Sequence, residues 1–201
     1  MTFPVIVYFV AQFFASMSRG PIFAGQINLY GAYAYDLGPD TIGLLATAVT
    51  IVGIPISLSS GYIMDHFGRK ATLVPGFALL TAALAFISIT AYAHVPFELF
   101  VAAYLCVYAS NSITGGNMQT LGSDIAPENA RGRFYGVSHT LGSLGSPIAT
   151  SGFALLSGAV GYWSAFAFLG MTAGGALFIL AALVRDRLRE KRTPAASTAS
   201  A

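Results

Sequence analysis

Charge is what this sequence has least of: 9% of its 201 residues are Asp, Glu, Lys or Arg, against roughly a quarter in an ordinary soluble domain. So few charges cannot clothe a soluble surface, and with 55% of residues hydrophobic the chain reads as an all-α membrane protein. The formal net charge of +2 says little about partners, and no nucleic acid is expected among them. Cys106 is the only cysteine. Inside an apolar run it has no internal disulfide to make and reads as a small buried residue. No metal and no cofactor are expected. A basic leader is also missing, and the apolar character at the N-terminus outruns a signal core, so no cleavable signal peptide is expected.

Long apolar runs, by contrast, are plentiful. About 20 apolar residues suffice to cross a hydrocarbon layer of about 30 Å. Six spans are predicted, at about residues 4–34, 41–64, 71–93, 96–121, 134–157 and 162–184, so that residues 1–184 form one bundle. The first is interrupted by Ser18-Arg19-Gly20-Pro21, which predicts a kinked or locally unwound helix. Residues 185–201 make a basic tail whose Ala-, Ser- and Thr-rich end is expected to be disordered.

Basic residues are distributed on one side only. Arg69 and Lys70 follow span two, Arg131 and Arg133 follow span four, and Arg185, Arg187, Arg189, Lys191 and Arg192 follow span six. The loops after spans one, three and five carry none. By the positive-inside rule the first set is cytoplasmic, which puts both termini there and the protein in the plasma (inner) membrane.

The remaining basic residue, Arg19, falls near the middle of span one, where a charge costs at least about 2.5 to 3.5 kcal/mol. Gln12, Arg19 and Gln26 recur every seven residues, close to one helical face. A polar stripe centred on a charge fits a water-filled substrate cavity; the plainer alternative has Arg19 bonding the carbonyls freed at Gly20-Pro21. No acid of the chain lies at that depth, so the counter-charge must be an anionic substrate or a carboxylate of a second bundle. Tyr104, Tyr108 and Asn111 follow helical spacing in span four, and Tyr108 and Asn111 join the cavity set. His139 in span five titrates near neutrality when solvated and is a candidate proton carrier, the alternative being a neutral histidine bonded to a neighbouring helix. Gly136-Val137-Ser138-His139 contains a Gly-x-Ser. Its histidine is turned about 100° from the serine, and His66 and His94 sit on opposite sides of the membrane, so an enzyme is not expected.

Between spans two and three, Gly61-Tyr62-Ile63-Met64-Asp65-His66-Phe67-Gly68-Arg69-Lys70 reads as a short surface loop, since such polarity cannot lie in lipid. Its pattern resembles the loop signature between the second and third helices of a six-helix half of the major facilitator superfamily of secondary transporters. After span four, Asp124-Ile125-Ala126-Pro127-Glu128-Asn129-Ala130-Arg131-Gly132-Arg133 resembles the Asp-x-x-Pro-Glu-x-x-Arg-Gly stretch of the same family. Gly142 to Pro147, with Gly152, resembles in degenerate form the glycine-proline motif of its antiporters.

The resemblance implies one six-helix bundle with a 3+3 inverted repeat, acting in alternating-access transport of a small solute. It implies a cytoplasmic gate in which Asp65 and Arg69 join Asp124, Glu128 and Arg131, with Gly68 and Lys70 completing the loop and Gly61 letting a helix of the other half approach. The chain departs from the family in carrying a single half. It is similar to the C-terminal one, with Met1 opening directly onto a span, so a second six-helix half is expected as partner beside the small-molecule substrate and the lipid bilayer. A non-transporting membrane subunit, or a truncated fragment pairing with another transporter, is the alternative. Substrate, direction and coupling to H⁺ or Na⁺ are not written in the residues.

Overall fold

The computed structural model describes the backbone of residues 3–192 and the side chains of residues 4–68 and 72–182. Its regular structure is helical throughout: α1 (Phe3–Phe23), α2 (Gln26–Tyr35), α3 (Pro39–Phe67), α4 (Arg69–Ala93), α5 (Phe97–Ile125), a 3₁₀ turn (Glu128–Ala130), α6 (Arg131–Ala159) and α7 (Tyr162–Arg192). Local signals set many of these ends. Pro39 opens α3 with Asp40 in its first turn, and Pro96 precedes α5, whose first turn carries Glu98. Both put a preset φ and an acid where a helix start favours them.

The interruption expected in the first span is present but displaced. α1 runs through Ser18, Gly20 and Pro21 to Phe23, and the chain turns at Gly25, which takes φ 79°. Proline removes one backbone donor yet fits a helix whose next turn is about to end. A left-handed residue does end it, and glycine adopts that conformation without the penalty a Cβ brings.

The charged 61–70 stretch also departs from expectation. It is not a loop: α3 continues to Phe67 and α4 begins at Arg69, leaving Gly68 (φ 88°) as the whole connection. Its polarity is accommodated by helix ends, which can project side chains past the lipid boundary. The side chains of Arg69 and Lys70, the side chains of the basic residues at 185–192, and the tail from 193 onward lie outside the described residues.

α4 packs most extensively on α7 and α5, and α1 on α6 and α7. The core between them is aromatic and aliphatic, with Phe77, Phe100, Tyr104, Phe153 and Phe166 fully buried. At one end Tyr30 of α2 contacts the rings of Phe100, Tyr162 and Phe166, and the Tyr35 hydroxyl donates to the Val95 carbonyl at 3.0 Å. These contacts pin α2 although it is too short to hold itself. On the α1–α6 crossing, Gly20 lies so close to Ser146 that a Cβ there would sit 2.7 Å from the Ser146 Cα.

α3 is the outlier. Ser60 is its one buried residue, while Leu44, Ile51, Ile54 and Leu58 are all more than half exposed. Water would penalise such a surface and hydrocarbon would not. Among the described residues, five helices are long and apolar enough to cross a membrane: residues 4–23, 39–67, 72–93, 97–125 and 162–182. α6, which coincides with the span expected at 134–157, is not among them, because Gly, Ser, Thr and His dilute its apolar residues. Cys106 points outward from α5 and is exposed, not buried; helical register, not local hydrophobicity, sets its direction.

Candidate functional site

α1 approaches α5 much less closely than it approaches α6 or α7. Side chains bridge the gap between the two backbones. Read along antiparallel α5, the Tyr8 hydroxyl donates to the Met118 carbonyl at 3.4 Å, Arg19 Nε donates to Asn111 Oδ1 at 2.6 Å, the Tyr108 hydroxyl donates to the Ile22 carbonyl at 3.4 Å, and the Tyr104 hydroxyl donates to Asn28 Oδ1 at 2.9 Å. The seam thus crosses the break at Gly25. Tyr104, Tyr108, Asn111 and Gly115 succeed one another at helical spacing on the α5 face that meets α1 and α2.

Arg19 is the chemical centre of this seam. Its Cζ lies 5.5 Å from the centroid of the Phe23 ring, one turn along α1, within cation–π range. The guanidinium rests against Gly115, where a Cβ would come within 2.9 Å of Nη2. Among the described residues it bonds Asn111 through Nε; no acid answers it, and the Nη edge keeps its donors. That edge is the fork that grips a carboxylate or phosphate in two parallel hydrogen bonds. The plainer alternative, Arg19 bonded to carbonyls beside Pro21, is not what the side chain does.

Two turns from Arg19 on the same face, Gln12 opens onto a cavity of about 420 Å³ shared by α1, α5 and α6. Tyr8, Gln119, Tyr135, Ser138, His139 and Ser143 line it with Gln12. Gln12 Oε1 is buried without a hydrogen-bond partner, which marks the cavity as a place for a donor. His139 is exposed to it, and its Nδ1 lies 3.4 Å from Ser143 Oγ on the same helix. Its partner is therefore not on a neighbouring helix.

Gln26 lies beyond the break, so the seven-residue repeat that would set it beside Arg19 does not carry through. Asp65, Asp124, Glu128 and Arg131, the residues expected to form a gate, are exposed, at the ends of α3 and α5, in the 3₁₀ turn and at the start of α6. α3 and α5 pack side by side, a Cβ on Gly53 falling 3.1 Å from Ser112 Oγ; since they run parallel, both charged stretches emerge at one end of the bundle. No contact is open to a Cβ within 4 Å of Gly61 or Gly68, so the space beside Gly61 is free. Asn28, Phe23 and Gly115 escaped sequence reasoning. Gly115 carried a signal, a missing side chain one turn below Asn111; Asn28 carried none, because its partner is set by how α2 docks.

A curated relative, the Na(+), Li(+), K(+)/H(+) antiporter of Planococcus maritimus, is 30% identical over 139 residues, which cover 67% of this chain and 31% of that protein. The chain thus spans under a third of the relative's length. The family model described as Major Facilitator Superfamily matches residues 5–200, nearly the full chain. With several helices of membrane-spanning length and apolarity and a family model that covers them all, this multi-pass membrane protein belongs to the Major Facilitator Superfamily.

Proposed function

We propose that the chain is one six-span half of a secondary transporter, with both termini cytoplasmic in the plasma membrane and Arg19 in a cavity closed by a second half. The observation that carries this is the 2.6 Å Arg19–Asn111 bond, a charge at mid-span held by a neutral partner with its outer edge left for an anion.

A 3+3 repeat is supported by the way the helices meet. Exchanging α1 with α5, α3 with α6 and α4 with α7 turns the α1–α6 contact into α5–α3, α4–α5 into α7–α1 and α3–α4 into α6–α7, while α4–α7 and α1–α5 map onto themselves. A second half is supported by the paired helices α3 and α6. Each turns small residues outward: Gly43, Thr47, Thr50 and Ser57 on α3, with Ile54 among them and Gly61 half-buried beyond, and Gly136, Thr140, Ser143, Pro147, Ser151 and Gly158 on α6. Such stripes let helices approach closely in a membrane, where packing replaces the hydrophobic drive.

The relative's exchange of monovalent cations for protons favours a carboxylate on the second half as the group that answers Arg19. A proton or cation taking that carboxylate would release it from Arg19, and the release would open the gate at Asp65, Asp124, Glu128 and Arg131. His139, beside Gln12, is the candidate proton carrier of this half. The test begins with the mass of the solubilised protein, corrected for bound lipid and detergent, and continues in proteoliposomes. A dimer that collapses a pH gradient on adding Na⁺ or K⁺, with Arg19→Ala slowing exchange by about tenfold or more, supports the reading. A well-formed dimer without exchange of any small solute leaves it as a non-transporting subunit.

A further inference from the structure

On the opposite side of α3 from its small-residue stripe, a groove of about 410 Å³ runs between α3 and α4 with α5 as its floor. At about 100° per residue, Pro55, Ile56 and Ile63 lie roughly 120–140° around α3 from the mean direction of Gly43, Thr50 and Ser57, so a second half seated on the stripe leaves the groove uncovered. Its walls are mostly apolar: those three residues, Pro75 and Leu79 of α4, and Ile113 of α5. Three wall residues carry hydroxyls, Ser59, Ser60 and Thr72; Ser60 donates to the Ser57 carbonyl of its own helix at 3.1 Å. The Thr72 hydroxyl is buried, the residue being 4% exposed, and has no hydrogen-bond partner.

The orphan has a local cause. Two helical threonines, Thr90 and Thr172, donate to the carbonyl three residues earlier, a bond that Thr72 does not make, and Thr47, Thr50, Thr81, Thr120 and Thr150 each donate to the carbonyl four residues earlier. For Thr72 that residue is Gly68, whose φ 88° and ψ 156° take it out of the helix and turn its carbonyl away. The hydroxyl is left with a donor and nothing to receive it, at a cost that a bound acceptor would remove.

Its depth says which acceptor. Thr72 lies four residues or about 6 Å beyond the turn at Gly68, between the charged Asp65, Arg69 and Lys70 around that turn and the apolar run that follows from Leu73, which is the depth where hydrocarbon gives way to the polar interface. In a bilayer that level is occupied by the ester carbonyls of phospholipids, with their acyl chains directed inward along the apolar walls. We infer that the α3–α4 groove is a phospholipid site, taking one acyl chain between Pro55, Ile63, Leu79 and Ile113 while Thr72 donates its hydroxyl hydrogen to the ester carbonyl. The site is separate from the Arg19 seam and stands whether or not the chain transports.

The protein in nanodiscs holding equal amounts of a diacyl phosphatidylcholine and its dialkyl ether analogue, which lacks the carbonyls, provides the test. After transfer to mild detergent, retained lipid is counted by native mass spectrometry. One retained lipid with the ester form favoured about fivefold, the worth of one hydrogen bond, is expected. Thr72→Val, of nearly the same shape, should keep one lipid and lose the preference; Leu79→Trp should fill the groove and lose the lipid. Equal retention of the two lipids by the unaltered protein overturns the inference, as does an unchanged preference in Thr72→Val. Lipid retention by a folded Leu79→Trp protein equal to that of the unaltered one places the lipid elsewhere and overturns it too.

Discussion

Arg19, Asn111 and Gly115 form a unit in which each residue has a different task. The guanidinium supplies charge, the amide oxygen fixes Nε without neutralising it, and the glycine makes room. Replacing Asn111 by Asp would answer the charge inside the half. Asn111→Asp is therefore expected to raise the melting temperature by several degrees, since pairing a buried unpaired charge is worth about 1 to 3 kcal/mol, while suppressing transport because the second half is no longer needed as counter-charge. A variant that melts earlier or transports normally contradicts this. Gly115→Ala pushes a methyl against Nη2 at 2.9 Å and should cut transport severalfold with a melting temperature within a few degrees of the original; unaltered exchange kinetics would show that the guanidinium's position does not matter.

At the level of elements, the broken pair α1–α2 and the α1–α6 crossing bear the structure. Gly25→Ala forces an L-residue into φ 79° and is expected to cost about 1 to 2 kcal/mol. Gly20→Ala drives a methyl into Ser146 and should cost about 1 to 3 kcal/mol by overpacking. Adding Ser146→Gly ought to return part of that loss, a coupling that a double-mutant cycle of thermal melts reads directly; additive losses would mean the two helices are not in contact there. Sequence reading placed these elements unevenly. The apolar runs at 41–64, 71–93, 96–121 and 134–157 each overlap one helix, α3 to α6, because run length is a one-dimensional property, whereas the run at 4–34 is divided between α1 and α2 and α7 continues to Arg192, past the run at 162–184. The interruption expected at Ser18–Pro21 falls later in the structure, since Pro21 advertises a break that the backbone defers to Gly25, which turns left-handed. The 61–70 stretch was read as a loop because its charge excludes it from lipid, yet charge says nothing about whether the backbone stops being helical.

For the whole molecule, the exposed apolar length of α3 and the outward small residues of α3 and α6 are the faces on which the proposed second half would sit. Gly43→Leu together with Gly136→Leu, at positions where a Cβ meets nothing within 4 Å, should leave helix content and melting intact yet shift the solubilised mass from dimer toward monomer. A mass unmoved by both substitutions would remove α3 and α6 from the interface. The same experiment on Leu79→Trp, on the far side of α3, should leave the mass of the protein component unchanged.

The sequence by itself determined the class of protein, the long apolar runs, the one-sided distribution of basic residues and the oddity of Arg19, because composition, run length and a charge inside an apolar run are all local. It also put Tyr108 and Asn111 on one face of α5. Only the tertiary structure decided that this face meets Arg19, 92 residues away, that Gln26 is cut off from it by the turn at Gly25, and that His139 bonds within its own helix. Periodicity tells which residues share a face. Which faces meet depends on how all the helices pack at once, and that is not a property of any segment.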